Sequence, residues 1–61
     1  MDNATKAQIY DDCLRESDQL QRINSKIKSD FAGNIPPNMQ EQINKNEARI
    51  GVLVKKLESL F

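Results

Sequence analysis

Met39, Ile43, Asn46, Ile50, Leu53, Leu57 and Leu60 are spaced alternately by four and three residues, an unbroken heptad pattern. Six of the seven are apolar, so the spacing lays one continuous stripe along a helix. Such a stripe requires a second helix to cover it. In a chain of 61 residues, that helix comes from the first half or from another molecule.

The first half supplies one. Ile9, Cys13, Glu16, Leu20, Ile23, Ile27 and Phe31 lie within about 80° of one another on a helix turning about 100° per residue. Neither Gly nor Pro interrupts the run. Acids crowd its early turns (Asp11, Asp12, Glu16, Asp18) and bases its late ones (Arg22, Lys26, Lys28), the order that the helix dipole favours. Asn3 and Thr5 are candidate N-caps.

Ala32-Gly33-Asn34-Ile35-Pro36-Pro37 breaks the pattern. Gly33 suits the left-handed position past a helix end, and each proline pushes the residue before it away from helical geometry. Asn38 can cap the next helix with Glu41 reaching back as in a capping box; alternatively Pro37 occupies the first turn. The expectation is one all-α domain over 1–61: helix one at about 5–31, a turn at 32–37, helix two at about 38–60. So short a turn makes the helices antiparallel neighbours, a two-helix hairpin.

The two stripes can be matched. Positions whose numbers sum to 69 or 70 give the layers Phe31–Met39, Ile27–Ile43, Ile23–Asn46, Leu20–Ile50, Glu16–Leu53, Cys13–Leu57 and Ile9–Leu60. Every layer has an apolar member. The same register brings Asp11, Asp12 and Glu16 alongside Lys55 and Lys56, and Lys26 and Lys28 alongside Glu41 and Glu47. Asn46 is read either as a polar residue that fixes register or as an imperfection of the seam, and Glu16 as an imperfection whose polar head reaches water, the alternatives being a bend outward to Lys55 or Lys56 or a bond across a subunit interface.

Composition removes several function classes. Nine bases and nine acids cancel, so no net field recruits nucleic acid or an acidic membrane. No apolar run nears the roughly 18 residues of a membrane span. There is no His, which removes the commonest general base and metal ligand, and the one cysteine, Cys13, lies on the apolar stripe. The expectation is a non-enzyme of a reducing, cytoplasmic compartment, with no cofactor and no metal. Lys26, Lys28, Lys45 and Arg49 form at most a modest basic patch around the closed half, diluted by Asp30, Glu41 and Glu47.

A domain this small buries only about 60% of its unfolded surface and needs outside support, which without disulfide or metal means association. The apolar residues left over gather at the open end. Ala7, Tyr10 and Leu14 lie to one side of the first stripe, while Val54 and Phe61 widen the second. Gly51, with Ala48, Val52 and Lys55, makes a shallow strip where another backbone can come close. Tyr10, Leu14, Val54, Phe61 and Gly51 are therefore the candidate interface.

The expected function is protein–protein contact: a homo-oligomer, a four-helix bundle or larger, acting as a small adaptor, co-chaperone or inhibitor on a protein partner. In size and layout the hairpin resembles the helical-hairpin co-chaperones of type III secretion needle subunits and the short helical inhibitors of phages. That resemblance rests on architecture, with no motif residue carrying it. The alternatives are an oligomer that sequesters a nucleotide-like ligand with Tyr10 and lysines, and a small nucleic-acid-binding helical dimer.

Overall fold

The computed structural model describes residues 2–60. They form two α-helices, α1 (Asn3–Asp30) and α2 (Pro37–Ser59), packed against each other as a hairpin. The cap of α1 is Asp2, whose Oδ1 accepts the Thr5 N–H at 2.7 Å, in place of the expected Asn3 or Thr5. A carboxylate there also complements the positive end of the helix dipole. At the other end the Phe31 N–H donates to the Ile27 carbonyl at 3.0 Å, and the Asn34 N–H to the Phe31 carbonyl at 2.9 Å. Gly33 has φ +79°, the left-handed geometry that a side chain would disfavour.

α2 begins with Pro37 in its first turn. Pro36, at φ −60° and ψ 149°, precedes it in extended geometry and offers no side-chain cap. Its carbonyl accepts the N–H groups of Met39 and Gln40 at 3.0 and 2.9 Å. The ring of Pro37 fixes the first helical φ and removes one unsatisfied donor, so the turn dispenses with the Asn38–Glu41 capping box.

Ile43, Leu53 and Cys13 form the centre of the seam at 1%, 2% and 4% exposure. Ile9, Leu20, Ile27, Met39, Ile50, Leu57 and Leu60 are half-buried around them. The expected matching departs at Phe31, which is exposed at the closed end, and at Ile23. Ile23 is exposed, and Asn24, one residue on, faces Asn46 in the seam; both asparagines are buried. The Asn46 Nδ2 donates to the Asn24 Oδ1 at 2.8 Å, and the Gln42 Nε2 donates to the Asn46 Oδ1 at 2.9 Å. A longer contact of 3.5 Å runs from the Asn24 Nδ2 to the Ile43 carbonyl. Among the described residues no buried side-chain nitrogen or oxygen lacks a partner. The swap has a physical reason: a buried Asn46 facing Ile23 would lose that bond, and the lost bond costs more than the apolar burial of one isoleucine edge returns.

The hairpin is a rod of 47 × 15 × 13 Å. Its radius of gyration is 14.3 Å, against about 10.5 Å for a compact domain of this length.

Candidate functional site

Two ion pairs across the seam show which flanks share a side. In antiparallel helices, corresponding flanks face the same way. Glu16 and Arg49 meet on one side, the guanidinium donating to both carboxylate oxygens at 2.6 and 3.3 Å. Lys28 and Glu47 meet on the other at 3.8 Å.

The Lys28–Glu47 side leads toward the open end through Gln21 and Ser17 to Leu14, Tyr10 and Ala7 on α1, and through Val54 on α2. Successive residues turn by about 100°, which places Leu14 and Val54 on the same side as Lys28 and Glu47. Leu14 and Val54 are each 43% exposed and Tyr10 39%. Leu14 and Val54 also lie at nearly one level, because their numbers sum to 68 where those of Asn24 and Asn46 sum to 70. Asn3, Lys6, Ala7 and Tyr10 line a shallow apolar depression at that end. Three of the expected interface residues thus come together on one side. Phe61 lies outside the described residues. Gly51 sits toward the back of α2, and a Cβ added there meets nothing within 4 Å.

The opposite side is charged. The bidentate bond from Arg49 is the main cause holding the Glu16 carboxyl below its usual range, and Lys56 adds a smaller attraction. Arg49, rather than water, Lys55 or Lys56, is thus the partner of Glu16. Beneath the pair is a cleft of about 100 Å³ lined by Ile9, Cys13, Leu53 and their charged neighbours Asp12 and Lys56. A carboxylate clamped in its ionised form is the opposite of an acid–base group poised near neutral pH. Ile23 and Val52, 47% and 53% exposed, stand apart on this side between charges.

The expected basic patch is broken up. Lys26 pairs with Asp30 at 3.5 Å, Lys28 with Glu47 at 3.8 Å, Lys45 with Glu41 at 3.6 Å and Arg49 with Glu16 at 2.6 Å. Among the described residues no group of three His, Cys, Asp or Glu is placed to hold a metal ion, and no helix is long and apolar enough to cross a membrane.

Sequence reasoning missed Asn24, which it left on the polar flank near the closed end, and Arg49, which it assigned to the basic patch. A signal for Asn24 was present: its number and that of Asn46 sum to 70, inside the register that the apolar layers define. No protein-family model, no curated protein and no solved structure matches the chain.

Proposed function

We propose that this chain is a non-catalytic contact module that completes its core by self-association and acts on a protein partner, as a small cytoplasmic adaptor, co-chaperone or inhibitor. The observation that supports this reading is the thinness of the core. Only Cys13, Ile43 and Leu53 are buried apolar residues among those described, while Tyr10, Leu14, Ile23, Phe31, Val52 and Val54 are exposed. The accessible surface is 4625 Å², against about 4,000 Å² for a compact chain of this mass. A small domain with so little buried gains stability by covering more of itself.

The acid partners of Lys26, Lys28, Lys45 and Arg49 favour this reading over a nucleic-acid-binding dimer, since paired bases release few counterions from a phosphate backbone.

Mass action supplies the test. If association completes the core, the melting temperature rises with protein concentration. Circular dichroism melts over a hundredfold range, with the mass measured on the same samples, are expected to show that rise. A constant midpoint together with a monomeric mass refutes self-association.

A further inference from the structure

We infer that the side of the hairpin carrying Leu14 and Val54 is a two-fold contact for a second copy of this chain, the hairpins lying face to face with their open ends together. This rests on the self-association reading and adds the surface and the arrangement.

Charge distinguishes the two sides of the hairpin. The Glu16–Arg49 side is crowded with ions, among them Asp12, Lys45 and Lys56. The Leu14–Val54 side holds Lys28 and Glu47, paired with each other toward the closed end, and Lys6 and Glu58, of opposite sign, toward the open end, so its charges cancel; Asp18, paired to Arg22 at 2.8 Å, stands at its outer edge. Between them lie uncharged Ser17 and Gln21. A surface that selects a different protein ordinarily does so with complementary charge. A face without net charge matches a copy of itself at no electrostatic cost.

The face also has the area of an interface. A face of 47 by 15 Å projects about 700 Å², close to the roughly 800 Å² that each partner contributes to a standard interface. It is also close to the surface by which this chain exceeds a compact one, about 600 Å². One missing neighbour of the hairpin's own size accounts for the excess.

The distribution of apolar residues sets the orientation of the two copies. The apolar part of the face is at the open end. A two-fold axis along the rod sets apolar on apolar, whereas one across its middle sets Ala7 and Tyr10 on the polar closed half. With the axis along the rod, α1 of each copy lies over α2 of the other, so all four neighbouring helix pairs are antiparallel, as in an up-and-down four-helix bundle. Leu14 of one copy then meets Val54 of the next, twice by symmetry.

The test uses charges at positions that are exposed in the single chain. Leu14→Glu and Val54→Lys are each compared with the parent, with Leu14→Ser as a neutral variant and with Ile23→Glu as a control on the other side. Mass is read by sedimentation and helicity by circular dichroism on the same samples. At a concentration where the parent is dimeric, Leu14→Glu and Val54→Lys are each expected to fall to the monomer mass. Leu14→Ser is expected to raise the dissociation constant at least tenfold, and Ile23→Glu to stay dimeric. An equimolar mixture of Leu14→Glu and Val54→Lys is expected to regain the dimer mass, because the new carboxylate on one chain meets the new ammonium on the other. Should the face variants keep the parent mass while Ile23→Glu loses it, self-association stands and this surface is wrong. Should the mixture remain monomeric, the open-ends-together arrangement is wrong. A parent that stays monomeric at millimolar concentration overturns this inference and the self-association beneath it.

Discussion

Replacing Asn24 and Asn46 by leucine, singly and together, measures what the polar layer of the seam contributes. Asn24→Leu removes the acceptor of the 2.8 Å bond and strands the Asn46 Nδ2 donor at a position only 6% exposed. A stranded buried amide costs about 1–3 kcal/mol. The accompanying loss of the 3.5 Å contact to the Ile43 carbonyl matters little, because that length is at the limit of a hydrogen bond. Asn46→Leu strands the Asn24 Oδ1 at 5% exposure, again at about 1–3 kcal/mol, while the released Gln42 is exposed and turns to water. The double variant strands nothing and places two apolar side chains on the seam, between half-buried neighbours that have room to adjust. It is expected to be more stable than either single variant, with a coupling energy of about 1–3 kcal/mol. Urea titrations followed by far-ultraviolet circular dichroism, all at one protein concentration, give the four free energies. If the two single costs simply add in the double variant, the amides do not bond across the seam in solution and the account of the Ile23–Asn24 exchange fails.

Three further expectations follow from the same structure. Leu53→Ala, at a site 2% exposed, is expected to cost about 2–5 kcal/mol, and half-buried Leu57 clearly less, so equal urea midpoints for the two alanine variants would contradict the placement of the core. Gly51→Ala adds a methyl group into open space on a helix and is expected to raise stability by about 1 kcal/mol with no change of mass; a fall in mass would instead move the contact to the strip around Gly51. The Glu16 carboxyl is held low chiefly by its bond from Arg49, and that of Asp2 chiefly by the Thr5 backbone N–H. A folded-state pKa below the unfolded one gives stability that is complete above the unfolded value and disappears as pH falls through the folded one, so thermal midpoints are expected to drop between roughly pH 5 and pH 2. Combining Glu16→Gln with Asp2→Asn is expected to flatten that drop, and an unchanged acid profile would refute the assignment.

The hairpin was legible because its signals are local and periodic. The heptads of Met39 to Leu60, the break at Gly33 and Pro36, and the uninterrupted first half each act within a few residues. What the sequence concealed are choices made between two helices. Ile23 and Asn24 are neighbours about 100° apart, and hydrophobicity taken one residue at a time puts the isoleucine inside. Asn46 reverses that choice by offering Asn24 a partner, a preference that belongs to the pair. Glu16 likewise stood between Lys55, Lys56 and Arg49, and the bidentate reach of a guanidinium singled out Arg49. The exposure of Leu14, Tyr10 and Val54 follows from where each falls relative to its own helix's stripe. That they lie on one side, opposite the charged one, followed only once the cross-seam pairs fixed how the flanks correspond.

The tight turn has a consequence for the route by which the chain reaches this shape. Cross-seam partners grow more distant along the chain with each step from the turn: Asn24 and Asn46 are 22 residues apart, Glu16 and Arg49 33. Closing the short loop first makes each later closure a small increment, since a doubling of loop length adds only about 0.6 kcal/mol. Loop-closure cost alone therefore favours pairing that begins at Gly33 and proceeds outward, with the two asparagines roughly midway along the seam. A pairing slipped by one helical turn would set Asn46 against Leu20 or Ile27 and bury an amide with nothing to bond, at a cost of about 1–3 kcal/mol. The amide pair thus sets an energetic penalty on a slipped register at the middle of the seam, ahead of Leu53 and Cys13.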